Sequence, residues 1–240
     1  MEFFLLGGIF LLSTFVQGFT SFGFSLVAIP LLMLFWNVKL IVVVTMTYSL
    51  VINSLVVRKF YKFAKFKKIL PLIITAILFT FVGINFLQNI NEFILKLIVG
   101  ILLILVGIIN NLGISFNVKN TTRFFIPIGI VSGILNGISG ISGPPVLMFL
   151  SNIKMTKEEF KATLSCYFFI LNVVAIVIYF FKGFYDAETI NYILKYVVFV
   201  VIGTSIGIFT SIKTSEKLFK KIINIAIPIL GVNMLIKLFA

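Results

Sequence analysis

Apolar residues recur along this chain in blocks of about the length that crosses a bilayer, separated by short polar or basic stretches. The first block, 3–35, is too long for one straight span and is interrupted at 18–23. Three plain blocks follow at 38–57, 69–87 and 93–109. A second interrupted block, 124–150, is again followed by three plain ones, at 162–181, 190–209 and 218–239. The pattern predicts an all-α polytopic membrane protein built as a broken block plus three spans, twice over.

The two halves also correspond residue by residue. Adding 119 to Gln17-Gly18-Phe19-Thr20 gives Asn136-Gly137-Ile138-Ser139, an amide, a glycine, an apolar residue and a hydroxyl in both. The same offset carries Tyr48 to Tyr167 and Asn53 to Asn172. With small gaps, Gly83 aligns with Gly203 and Leu105-Val106-Gly107 with Ile229-Leu230-Gly231. An offset held from residue 17 to residue 53 points to an internal duplication, with 1–120 and 121–240 as two repeats of one membrane domain.

Composition agrees with the pattern and narrows the chemistry. The chain is 60% hydrophobic and 11% charged, and no water-soluble chain of 240 residues covers so much apolar surface with so little charge. Its net charge of +13 comes from basic residues in the short loops, so topology explains it and no nucleic acid is called for. The apolar N-terminus opens Met1-Glu2 without a basic leader or small-residue cleavage site, which argues against a cleaved signal peptide. The single cysteine, Cys166, excludes an internal disulfide and is read as small, inert packing. There is no histidine, and the seven acids fall near the ends of spans. Neither a metal site nor a cofactor is expected, and no nucleophile–base pair is available for an enzyme. An ionisable group in the core, usual in proton-driven carriers, is also missing from this reading.

Loop charges decide how the broken blocks sit. If each crossed the membrane once, 11 Lys and Arg would lie on one side and nine on the other. If each dips in and returns, 15 lie inside and five outside, as the positive-inside rule prefers. Lys154, Lys157 and Lys161 count among the inside loop charges, as does the basic loop 58–68. A returning hairpin plus three spans is an odd number of crossings, so the second half is inverted relative to the first. Hairpin arms of roughly 11–15 residues are expected to bring both tips near the midplane.

At such a tip the returning helix starts with free backbone N–H groups and the positive end of its dipole. Gly143-Pro144-Pro145 suits a helix start. Two such starts facing each other make an anion site without a charged side chain. The candidate residues are Gln17, Thr20, Ser21, Gly23, Ser25 and Asn53 in the first half, and Asn136, Ser139, Gly140, Ser142, Gly143 and Asn172 in the second. Close helix packing is the competing reading of the Gly/Ser-rich tips. Asn53 and Asn172 serve equally as interhelical hydrogen-bond partners, and Tyr48 and Tyr167, the secondary candidates, equally as packing aromatics.

Gln17-Gly18-Phe19-Thr20-Ser21-Phe22-Gly23 followed by Ile29-Pro30-Leu31-Leu32, with 133–145 in the second half, resembles the duplicated motif of the TauE/SafE family. The resemblance covers nearly the whole chain. It implies a permease exporting sulfite, sulfonates or related organosulfur anions across a prokaryotic cell membrane. The first tip carries Ser21-Phe22-Gly23-Phe24 where that family would show a denser glycine run.

The expected function is therefore a secondary transporter of a small sulfur-containing anion, working by alternating access around the tips. The expected partners are that anion and the lipid bilayer, with a second copy of the chain left open. A passive anion channel of the same fold and a non-transporting subunit that anchors a partner protein are the alternatives.

Overall fold

The computed structural model describes residues 2–112, 121–151, 153, 155–213, 232 and 236. Among them the chain forms nine α-helices and no strand: α1 (Glu2–Thr20), α2 (Phe24–Leu32), α3 (Val38–Phe60), α4 (Leu70–Asn89), α5 (Glu92–Leu112), α6 (Thr121–Ser139), α7 (Gly143–Ser151), α8 (Lys157–Phe181) and α9 (Ala187–Lys213). The spans expected at 38–57, 93–109, 162–181 and 190–209 fall within α3, α5, α8 and α9, and that at 69–87 lies in α4 but for its first residue. The last one, 218–239, and the match at 229–231 lie outside the described residues.

Local chemistry sets the helix starts. The Asn37 side chain accepts a hydrogen bond from the Leu40 N–H at 2.9 Å and opens α3. Proline at the first turn opens α4. Thr156 and Glu159 form a reciprocal capping box at the head of α8. Asp186 accepts from the Thr189 N–H at 2.8 Å at the head of α9, and this bond holds its carboxyl below the usual range. A carboxyl with a depressed folded pKa stabilises above its unfolded pKa, about 4, and loses that contribution as pH falls through the folded value. Asp186→Ala is expected to cost about 1 kcal/mol near neutral pH. Thermal unfolding in detergent should show the gap to wild type closing on acidification.

Among the described residues, five helices are long and apolar enough to cross a membrane: 2–20, 38–63, 66–89, 157–181 and 187–211. Large apolar side chains face outward along them, including Phe4, Leu78, Phe180, Phe181 and Leu194, each more than 60% exposed. A soluble protein does not carry so continuous an apolar exterior. Two buried clusters hold the interior. One joins α1, α2, α3 and α9 around Phe10, Phe24, Tyr48 and Tyr196. The other joins α4, α7 and α8 around Leu72, Val146, Leu164 and Tyr167.

The broken blocks have unequal arms. Each is a 19-residue helix, a three-residue break and a nine-residue helix, α1–α2 and α6–α7. Arms of roughly 11–15 residues were the expectation, and it fails because the apolar run carries no mark of where the longer arm begins. At 1.5 Å per residue the long arms reach about 28 Å and the short ones about 13 Å. After α2 the chain has returned to the middle of α1, where Trp36 packs on Phe10 with ring centroids 5.9 Å apart.

Glycines seat the long arms on helices of the opposite half. A Cβ on Gly18 would lie 2.5 Å from the Thr204 carbonyl of α9, and one on Gly137 2.4 Å from the Thr80 carbonyl of α4. From the other side, Gly207 faces the Phe15 carbonyl and the Gly18 Cα, while Gly83 faces the Ile134 carbonyl and the Gly137 Cα. Packing therefore pairs Gly83 with Gly207 instead of Gly203. The glycine that matters is the one opposite the partner's glycine, four residues beyond the sequence match. α1 runs parallel to α9, and α6 parallel to α4.

The two ends of the bundle differ. Lys39 and Lys182 both donate to Gln88, at its carbonyl and its side chain. At the other end Lys65 pairs with Glu159 at 2.9 Å, its N–H reaches Thr163, and Lys157 reaches the Ser211 carbonyl. We refer to these as the Gln88 end and the basic end.

Candidate functional site

The two breaks are built alike. At the close of α1 the Ser21 N–H donates to the Gln17 carbonyl at 2.6 Å, and at the close of α6 the Gly140 N–H donates to the Asn136 carbonyl at 3.0 Å. Ser21 and Gly140 both have φ +68°, the left-handed turn that ends a helix and that costs a non-glycine residue about 1 kcal/mol or more. Thr20 and Ser139 each bond back to the carbonyl four residues earlier and accept the N–H two residues on. All these positions differ by 119.

Beyond the breaks, α2 and α7 begin beside a common cavity of about 30 Å³, room for a water molecule or two. It is lined from the first half by Gln17, Phe22, Gly23, Ser25, Leu26 and Ser49, and from the second by Gly140, Ile141, Ser142, Gly143, Phe168 and Asn172. The structure thus brings seven of the twelve candidates together: Gln17, Gly23, Ser25, Gly140, Ser142, Gly143 and Asn172. Thr20, Ser21, Ser139, Asn53 and Asn136 stay outside the lining.

The small residues divide by position. Gly18 and Gly137, before the breaks, are packing glycines. Gly23, Gly140 and Gly143, in or after them, face the cavity. Ser49 and Phe168 escaped the sequence reading, although each sits one turn before an asparagine of the matched pair and they too differ by 119.

The amides differ in how they are held. Gln17 donates from Nε2 to Asn53 Oδ1 at 3.1 Å and accepts the Phe24 N–H at Oε1 at 3.2 Å, so it already occupies one free N–H of α2. Asn53 donates in turn to Ser49 at 3.2 Å. Asn53 is a linker in this network. Asn136 donates to Thr80 at 3.4 Å, joining α6 to α4. Asn172, 2% exposed and lining the cavity, leaves its Nδ2 without a hydrogen-bond partner. An unpaired buried amide N–H costs about 1–3 kcal/mol, and a ligand acceptor would recover it.

The tyrosines are fully buried braces outside the lining. Tyr48 donates to the Tyr192 and Ile193 carbonyls of α9, at 2.9 and 2.8 Å. Tyr167 bonds Ser132 at 2.7 Å, and Ser132 donates onward to the Ser142 carbonyl at 2.8 Å, steadying the second break.

Lys161 was counted among the loop charges, yet it is 3% exposed. Its ammonium donates to the Phe19 carbonyl in the last turn of α1 and lies 5.8 Å from the Phe19 ring centroid. Periodicity was the available signal. Residue 161 falls on the opposite face of α8 from Glu159 and Thr163, which meet the basic loop.

Paired helix breaks around a small cavity inside a membrane bundle are the kind of arrangement at which secondary transporters bind their substrates. The family model described as "Sulfite exporter TauE/SafE" matches residues 5–234. The chain belongs to that family, and it is a membrane transporter. No curated protein and no solved structure matches it.

Proposed function

We propose that this transporter moves a small sulfur-containing anion, such as sulfite or a sulfonate, across a prokaryotic cell membrane by alternating access around the cavity between the two breaks. The observation that carries the reading is the Asn172 amide, a buried donor without a partner at the starts of two nine-residue helices. Helix starts offer free N–H groups and positive dipole ends, and Ser25 and Ser142 add hydroxyls. Gln17 Oε1 stands at the start of α2 much as an anion's oxygen would, and an arriving anion takes its place. The present cavity of about 30 Å³ is narrow for a four-atom oxyanion, which fits an occluded form that must widen to load.

The family supports the export of an anion, and the parallel seating of α1 on α9 and of α6 on α4 supports two inverted repeats, 1–120 and 121–240. In that arrangement each short helix turns back from a re-entrant tip toward the end from which its long arm came. The long arms bring the first tip beside Gly207, toward the basic end, and the second beside Gly83, toward the Gln88 end. The tips overlap side by side, and the cavity lies between them.

Asn172→Leu is the test. Sulfite and sulfonate flux into proteoliposomes is expected to fall at least tenfold, the effect of losing one charge-assisted hydrogen bond of about 1.5–3 kcal/mol. Thermal stability should hold or rise, because the variant removes an unpaired buried group. Asn53→Leu should instead lose stability, since it strands Gln17 and Ser49. Flux at the wild-type level in Asn172→Leu would overturn the site.

A further inference from the structure

Ser13, Ser54, Thr80 and Ser139 bond back to the carbonyl four residues earlier, the usual way for a helical hydroxyl to be satisfied. Ser165 on α8 does not. It is fully buried, and its hydroxyl has no hydrogen-bond partner. Ser21, in the first break, is equally buried and its hydroxyl equally unpartnered. It is also the one non-glycine among the described residues with a left-handed backbone, where the second break carries Gly140. Strain and an unpaired hydroxyl at one residue both oppose folding, and such outliers persist where function holds them.

Neighbouring contacts place the two hydroxyls together, on the basic-end side of the cavity. On α8, residues 161, 165, 168 and 172 share one face. Lys161 meets the Phe19 carbonyl, while Phe168 and Asn172 line the cavity with Phe22 and Gly23. Ser165 therefore stands against the break at residues 20–21, about 10 Å along the helix from Asn172. The other half repeats the contact. Met46, 119 residues before Ser165, comes within 3.7 Å of a Cβ on Gly140, 119 after Ser21. There the pair is a thioether side chain and a glycine; here it is two hydroxyls. We propose that the cavity widens toward the basic end onto Ser21 and Ser165, and that the loaded sulfur oxyanion accepts a hydrogen bond from each. The proposal rests on the anion site above. It adds the direction of widening and two donors that the present cavity of about 30 Å³ does not reach.

Binding measured beside stability separates this role from packing. Sulfite is titrated calorimetrically into detergent-solubilised wild type, Ser21→Gly, Ser165→Ala and Asn172→Leu, with thermal midpoints recorded alongside. Ser165→Ala should weaken sulfite binding at least tenfold, the loss of one hydrogen bond to a charged acceptor. Its midpoint should hold or rise, because an unpaired buried hydroxyl is removed. Ser21→Gly should weaken binding as much with the midpoint again held or raised, because glycine takes the left-handed turn without strain. Hydroxyls that only hold buried water would leave sulfite affinity at wild-type strength in both serine variants, and that result overturns the proposal. Asn172→Leu would then still lose binding, and the anion site would stand without the two serines. If wild type binds no sulfite, the site reading falls and the serines fall with it.

Discussion

Gly143→Leu is expected to lower anion flux in proteoliposomes at least a hundredfold, a loss of the size that follows when reacting or binding groups are displaced by about 1 Å. Gly143→Ala should keep most of it. The contrast follows from the space at this position. A Cβ there meets nothing nearer than the Phe168 ring at 3.5 Å, an ordinary contact, so a methyl is tolerated. A leucine has four carbons to place, and the open direction is a cavity of about 30 Å³. The side chain therefore takes the volume that the anion needs and covers the start of α7. Gly143 has an ordinary negative φ, so the backbone does not resist the change. Surface expression and thermal midpoint should stay near wild type while flux vanishes. Retained flux in a folded Gly143→Leu protein would show that the anion passes elsewhere.

Gly137→Val is expected to do the reverse, damaging the fold before the chemistry. A Cβ on Gly137 would lie 2.4 Å from the Thr80 carbonyl and 2.5 Å from the Ile84 nitrogen, both backbone atoms that cannot swing aside. α6 and α4 must then separate, and overpacking of this kind costs about 1–3 kcal/mol or more. At about 2–4 °C per kcal/mol for a chain of this size, the midpoint should drop by roughly 5–10 °C. Gly8→Ala is the matched control. Nothing lies within 4 Å of a Cβ at Gly8, so alanine should leave the midpoint unchanged or raise it slightly. Equal midpoints for Gly137→Val and wild type would remove the glycine seam from the account of stability.

The breaks were legible in the sequence because their chemistry is local. A hydroxyl at Thr20 or Ser139, an amide three residues before it and a turn residue after it suffice to stop a helix. The matched asparagines were legible as a pair, but their roles were not. Asn53 and Asn172 have the same spacing from the breaks, yet only Asn53 meets Gln17, whose side chain is one methylene longer than that of its counterpart Asn136. Arm lengths were hidden for another reason. Apolar residues continue through α1 and past its end, so hydropathy cannot separate a full-length arm from a half-length one. Gly83 was matched to Gly203 because sequence alignment aligns glycines; both Gly203 and Gly207 press on the backbone of α1, but only Gly207 faces the Cα of Gly18 as Gly83 faces that of Gly137. Lys161 was misread as a loop charge since a charge count carries no azimuth, and burial depends on which face of α8 meets α1.

The glycine seam between α1 and α9 bears on how the protein is made. α6 leaves the ribosome after α4, so its seat is already in the membrane when it arrives. α1 is synthesised long before its seat, α9, which begins at Ala187. At 5–20 residues per second the interval is roughly 10–40 seconds. Throughout that time the backbone groove at Gly18 stays open to lipid or to a passing helix. Wrong pairing of α1 is thus the hazard peculiar to this fold during biosynthesis. A chain truncated before α9 should show it, as an N-terminal helix accessible to crosslinking from other membrane proteins.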